Sequence, residues 1–333
     1  AKIQSIGSRF AQNEITLEYA QDMGCRACAS PGGGCQFLGT AGTSQVIAES
    51  LGMTLPHAAL APSGTNIWKD TGRRSALALK NLVDNNIKTK EILTDDAFEN
   101  AMVLHAACGG STNLILHLPA IAHAIKRKMM KVDDWTRVNK MIPRLVDVLP
   151  NGPKGFPTSV FFSAGGVPEV MLKLRNEGLL NLKVKTATGK MLEENLDWWE
   201  QSEKRQFVRN KLINSKNIHP NDVIHSTVRS KKKNMTSTVT FPLGNIAPEG
   251  SVVKSTAIDK SVIDNDGVYR KTGQARIFIS ESDAIKAVKD TGSNKINPGD
   301  IMVLMCGGPK GTGMQEVAQI YEGKKSKLTK NEI

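Results

Sequence analysis

Apolar residues recur at helical spacing through roughly the first 205 positions, then give way to short strand-like runs beyond about position 235. Residues 40–51, which follow a glycine turn at Gly32–Gly34, place Ala41, Val46, Ile47 and Leu51 on one face of a helix. Thr94 is an N-cap for a helix through Ala97, Met102 and Leu104 that stops at Gly109-Gly110. Ser111 opens the next one, STNLILHLPAIAHAIK, where Pro119 calls for a kink or a break. Residues 167–175 form a helix entered through Ala164-Gly165-Gly166, with Pro168 at an early position. Residues 195–207, with the Trp198-Trp199 pair, form another.

The polar, basic stretch 217–235 reads as a linker. Beyond it come STVTF at 237–241, SVVKSTAI at 251–258, ARIFI at 275–279 and DIMVLM at 300–305, each bounded by turn residues. One helix, 281–289, interrupts them. The expected class is therefore α/β: an α/β domain over 1–216, then a β-rich, barrel-like domain over 236–333.

Composition narrows the function classes. A chain of 333 residues suits two cores better than one. Its 40% hydrophobic and 23% charged residues are ordinary for a globular protein. No apolar run approaches the ~18–20 residues that span a bilayer, and AKIQSIGSRF holds no apolar signal core. Five cysteines, three of them clustered, are unlike a disulfide framework and point to the cytoplasm. The net charge of +12 raises nucleic-acid binding, but the basic residues are dispersed apart from RSKKK at 229–233 and the tail GKKSKLTKNEI. With only 5% aromatics for base stacking, both runs read as solvated surface.

Candidate chemistry concentrates in four motifs. GCRACASPGGGCQFLGTAGT, residues 24–43, carries Cys25, Cys28 and Cys35. Thiolates at this density suit a zinc knuckle, a redox pair, an iron–sulfur ligand or small buried thiols, and spacing does not separate these. Gly109-Gly110-Ser111-Thr112-Asn113 lies where one helix ends and the next begins. Its N–H and hydroxyl groups suit a carboxylate or phosphate, and a glycine C-cap followed by a hydroxyl N-cap explains the same letters. His105 and His117 on either side read as structural. GNIAPEG at 244–250 is a turn into a strand. GGPKGTGMQE at 307–316 is a glycine-rich loop that lacks a P-loop ending. Its Glu316 suits a hard metal or simply a helix N-terminus.

In this order the motifs resemble the dihydroxy-acid dehydratase / 6-phosphogluconate dehydratase family, most of all its sugar-acid, xylonate-type branch. APSG at 61–64, HAACGGSTNLILHLPAIAH, VDDWTRVNK, RLVDVLPNGP, AGGVPEVMLKLR, ENLDWWE and TFPLGNIAPEGSVVKSTAID extend the likeness from about residue 3 to 320. The resemblance implies a hydro-lyase that removes water from an aldonate such as xylonate to give a 2-keto-3-deoxy acid. It implies an iron–sulfur cluster, [2Fe–2S] rather than [4Fe–4S], beside a Mg²⁺. Cys35 matches the family's third cluster cysteine and Glu316 a Mg²⁺ carboxylate, while Ser111, Thr112 and Asn113 are candidates for substrate binding. Cys25 and Cys28 match no ligand.

Mg²⁺ would acidify the C2 proton, and an open cluster iron would draw off the C3 hydroxyl. The family's Cys-Asp-Lys motif should precede Ala1, and its base serine, in Arg-Phe-Ser-Gly, should follow Glu316. After Ile320 the chain reads YEGKKSKLTKNEI instead. The resemblance thus describes a middle portion that is inactive and colourless alone, from a homo-oligomeric parent enzyme with a small-molecule substrate. The rivals are the branched-chain dihydroxy-acid dehydratase of the same family and a non-catalytic binding remnant.

Overall fold

A computed structural model describes residues 6–11, 13–26, 35, 37–288 and 295–305. In chain order the helices are α1 (Ile6–Ala11), α2 (Leu17–Arg26), α3 (Thr40–Ser50), α4 (Asn66–Asp84), α5 (Thr89–Ile92), α6 (Asp95–Cys108), α7 (Asn113–Ala124) and α8 (Val132–Met141). They continue with α9 (Thr158–Ser163), α10 (Gly166–Arg175), α11 (Leu192–Gln201), α12 (Glu203–Lys216), α13 (Pro220–Val223), α14 (Thr227–Lys232) and α15 (Glu281–Val288). The strands are β1 (Ala275–Phe278) and β2 (Ile301–Leu304). Internal contacts gather the chain into two compact units, residues 30–259 and residues 1–29 with 260–333.

The larger unit is helical and built around α6. From Ala97 to Cys108 every residue of α6 except Glu99 is buried, so this helix is enclosed on all sides rather than amphipathic. Helices α3, α8 and α10 pack against it. Val46 of α3, Leu118 of α7, Trp135 of α8, Phe161 of α9 and Leu174 of α10 join its side chains in one core. Asn100 is the one amide inside this apolar helix. Its Nδ2–H₂ donates to the Asn181 carbonyl at 2.9 Å, and its Oδ1 accepts the Asn181 N–H at 2.8 Å. Both halves of the buried amide are thereby satisfied.

Helices 40–51 and 167–175 form as expected, at α3 and α10. Helix α7 runs on through Pro119. The single helix expected over 195–207 is two, α11 and α12. Ser202 between them is extended (φ −71°, ψ 138°), and its hydroxyl accepts the Arg205 N–H at 3.2 Å. That N-cap restarts the helix in a new direction.

The stretch 217–235 is not a tether, which corrects the linker reading. It folds as α13 and α14 within the larger unit, with Val223, Ile224 and Met235 buried. Ile224 bridges Val146 antiparallel, the His225 N–H donates to the Leu145 carbonyl at 2.8 Å, and the Asp147 N–H donates to Val223 at 2.9 Å. Its polar residues are helix caps and ion pairs, such as Ser226 to the Arg229 N–H and Arg229 to Asp222, rather than solvated linker.

The smaller unit contains α1, α2, α15 and the two strands. β1 and β2 pair in parallel with Ala275 opposite Ile301 and Phe278 opposite Leu304, and α15 is the crossover between them. Ala284 and Ala287 of α15 close over Phe278. The mixed helix and sheet content fits an α/β class, but no barrel closes among the described residues. Of the four expected strands, ARIFI and DIMVLM form. STVTF and SVVKSTAI meet only at one bridge, Thr240 to Val253. Short β-rich runs between turns score alike for a barrel and for a βαβ unit, and the helix at 281–288 decides for the latter here. No helix among the described residues is long and apolar enough to cross a membrane.

Candidate functional site

The best-defined polar constellation is where α6 ends and α7 begins. Thr94 caps α6 by accepting the Ala97 N–H, and Asp95 and Asp96 favour its N-terminus. At the other end Gly109 takes the left-handed conformation at φ 71°. The Gly109 N–H donates to the Ala106 carbonyl and the Gly110 N–H to His105. This pair of bonds is a Schellman closure. Gly110 is required for a different reason: a Cβ there would lie 2.3 Å from His105 Cδ2 and 2.6 Å from its Nε2.

His105 is fully buried, edge-on to Trp135, and its Nε2 lies 2.8 Å from the Ser111 carbonyl. A carbonyl only accepts, so Nε2 carries the hydrogen. Burial pulls the His105 pKa down to about 4, which keeps the ring neutral near pH 7. The structural reading of His105 holds: it pins the turn. His117 is exposed on α7.

The first turns of α3 hold the other side of the motif. The Thr43 hydroxyl accepts the Ser111 N–H at 3.1 Å, and the Asn113 amide donates to the Thr40 hydroxyl. Gln45 donates from Nε2 to the Cys35 carbonyl at 3.3 Å and accepts the Leu60 N–H at 2.8 Å. One helix therefore positions both Cys35 and the 109–113 turn. Cys35 is exposed, Ser111 and Thr112 are half-buried, and Asn113 is buried. Cys28, Gly32–Gly34 and Glu316 lie outside the described residues. Among the described residues no group of three or more His, Cys, Asp or Glu gathers as a metal site.

The Gly109 side of the turn carries residues that sequence reasoning passed over. Arg144 is 6% exposed, and its Nε and Nη1 have no hydrogen-bond partner among the described residues. Its stem packs on Gly109, where a Cβ would meet Arg144 Cδ at 2.8 Å and Thr238 Cγ2 at 3.0 Å. Burial lowers the Arg144 pKa, and the Asp147 carboxylate works against that shift. Asn151 donates to the Gly109 carbonyl at 2.9 Å, and the Thr238 hydroxyl donates to Gly110 at 3.3 Å. A lone arginine in RLVDVLPNGP is indistinguishable by spacing from a surface one. The only available signal is its position among Ile142, Leu145 and Val146, all apolar and all buried.

The third motif, 244–250, is a tight turn. Gly244 and Ala247 exchange backbone hydrogen bonds, and Ile246 stands 95% exposed at its tip.

The chain matches the dihydroxy-acid/6-phosphogluconate dehydratase N-terminal domain over residues 1–195 and the C-terminal domain of the same name over residues 222–332. It is 58% identical over 319 residues to the D-xylonate dehydratase YagF of Escherichia coli (strain K12), covering 96% of this chain and 48% of that protein. It is 57% identical to the D-xylonate dehydratase YjhG of the same strain, with the same coverage. A dihydroxy-acid dehydratase of Picrophilus torridus is 36% identical, across 95% of this chain and 52% of its own length. The chain spans about half the length of the curated relatives it matches. Two family domains that between them take in most of its residues place this chain in the dihydroxy-acid/6-phosphogluconate dehydratase family.

Proposed function

We propose that the protein is a hydro-lyase of sugar acids, dehydrating an aldonate such as D-xylonate to a 2-keto-3-deoxy acid. The observation that carries this reading is the gap in identity over the same stretch. Two D-xylonate dehydratases stand at 58% and 57%, and a dihydroxy-acid dehydratase at 36%.

Within this reading Cys35 is an iron–sulfur ligand, for a [2Fe–2S] rather than a [4Fe–4S] cluster. An exposed thiol five residues ahead of α3, with its own carbonyl fixed by Gln45, fits one position of such a cluster. The described residues supply that one ligand and not a set. Glu316 is proposed as a Mg²⁺ carboxylate. When bound, the two inorganic groups supply Lewis acidity toward the departing hydroxyl and the acid end of the substrate.

The chain's own contribution is binding and orientation. Ser111 and Thr112 offer hydroxyls at the start of α7, where the helix dipole favours an anion. The Ser111 N–H and carbonyl are engaged by Thr43 and His105, so the turn is held in place before ligand arrives. Asn113 acts through its bond to Thr40, locking α7 onto α3.

The test is a substrate panel on the protein translated from its complete reading frame. D-xylonate should be dehydrated with kcat/KM at least about tenfold above 2,3-dihydroxyisovalerate. Preference for the branched acid would overturn the reading.

A further inference from the structure

We infer that Gln45 is a positioning residue: its side-chain amide clamps the Cys35 backbone to the strained turn at Leu60 and so fixes where the Cys35 thiolate is presented. The inference rests on the proposed reading of Cys35 as a cluster ligand and adds to it a residue that acts through Cys35.

Both halves of the Gln45 amide are used, on two segments far apart in the chain. Nε2 donates to the Cys35 carbonyl at 3.3 Å, and Oε1 accepts the Leu60 N–H at 2.8 Å. Cys35 is exposed and lies five residues ahead of α3, and among the described residues this amide makes the hydrogen bond that ties it to the helix. A carbonyl at one end and an N–H at the other require a donor and an acceptor on one side chain. Ionised glutamate lacks the donor, and leucine lacks both.

The Leu60 end of the clamp is itself anchored. Leu60 is fully buried at φ 64° and His57 at φ 59°, left-handed conformations that bulky side chains rarely adopt. Such backbone persists where its surroundings over-determine it, and it gathers at functional sites. Here α3 supplies the restraint. Glu49, one turn beyond Gln45, accepts the His57 N–H at 2.7 Å and the Ala59 N–H at 2.8 Å. Two residues before Gln45, Thr43 accepts the Ser111 N–H at 3.1 Å. Thr43 and Gln45 thus hold the 109–113 turn and Cys35 to the same stretch of helix. This is the kind of contact behind a ligand that orients it toward a metal.

The experiment compares Gln45→Glu and Gln45→Leu with wild type in the protein translated from its complete reading frame. It is run at mildly alkaline pH, where the new carboxylate is ionised. Two quantities are followed: the rate at which cluster absorbance is lost to an iron chelator, and amide-hydrogen exchange at Leu60. Gln45→Glu keeps the acceptor for the Leu60 N–H, so exchange there should stay within about threefold of wild type. Its cluster should nevertheless be lost about tenfold faster. Gln45→Leu should accelerate both. The inference is overturned if Gln45→Glu loses its cluster at the wild-type rate. It is equally overturned if Gln45→Glu exposes Leu60 as much as Gln45→Leu does, which would make the amide a strut for residues 57–61 alone. The ligand reading fails in a distinguishable way. Cys35→Ala with full cluster absorbance would overturn both, whereas Cys35→Ala without it, beside Gln45→Glu at the wild-type rate, would refute the Gln45 role alone.

Discussion

Replacing Gly110 with alanine should be among the most damaging single-methyl changes in the chain. The backbone at Gly110 is not left-handed, so alanine pays no conformational penalty there and would by itself gain about 0.4–1 kcal/mol by restricting the unfolded chain. Against that, the new Cβ would meet His105 at 2.3, 2.6 and 2.8 Å, against Cδ2, Nε2 and Cγ. The ring cannot yield easily, because it is fully buried and edge-on to Trp135 at 5.3 Å. Moving it breaks the 2.8 Å bond to the Ser111 carbonyl and leaves a buried donor unmet, worth about 1–3 kcal/mol. Overpacking adds about 1–3 kcal/mol. The net expectation is a loss of about 3 kcal/mol in urea unfolding.

The cycle with His105→Ala isolates the cause. That single change should cost about 3 kcal/mol, and Gly110→Ala on top of it should be neutral to within about 0.5 kcal/mol. Additive losses would refute the claim that His105 is what excludes a side chain at Gly110.

Further expectations concern charge. Burial lowers His57 to about 3 and His105 to about 4, so each contributes stability that is full above pH 6.5 and is lost as pH falls toward those values. Burial raises Glu49 to about 7 although it accepts the His57 and Ala59 N–H groups, so its contribution is full below pH 4.5 and is lost as pH rises through 7. Between pH 6.5 and 4.5 these three should net a loss of about 1.4 kcal/mol per pH unit on acidification. Glu49→Gln should steepen it to about 2.7, and an unchanged slope in urea melts would contradict the assignment. Glu169 is buried between Arg205, at 2.8 and 3.1 Å, and Arg209, at 3.0 Å. Glu169→Gln should cost about 3–5 kcal/mol in the same assay, and a loss under about 1 kcal/mol would show that the arginines find other partners. If Cys35 is the proposed cluster ligand, Cys35→Ala in the complete protein should abolish cluster absorbance and D-xylonate turnover together; retention of either would remove Cys35 from the ligand set.

Much of the site is legible in the letters, but its wiring is not. Gly109-Gly110 reads as a helix stop because an αL closure favours glycine, and the structure forms it. The reason for the second glycine is not local: it is the ring of His105, five residues back, folded over the turn. Thr40, Thr43 and Gln45 read as ordinary polar positions of a half-buried helix. Their partners Asn113, Ser111 and Cys35 lie ten to 73 residues away, a separation no periodicity reports. Residues 217–235 mislead for a related reason. Charge density suggests solvent, while Val223, Ile224 and Met235 supply enough apolar surface to dock the segment. No barrel closes among the described residues, and strand propensity says nothing of whether ARIFI and DIMVLM run parallel or antiparallel.

The central claim is that α3 and the 109–113 turn form the sugar-acid site. The most direct test is titration of the isotope-labelled chain with D-xylonate, following backbone ¹⁵N–¹H resonances. The account predicts saturable shifts concentrated at Thr40–Gln45 and Ser111–Asn113. Shifts that bypass these residues, or that xylitol reproduces equally well, would contradict it.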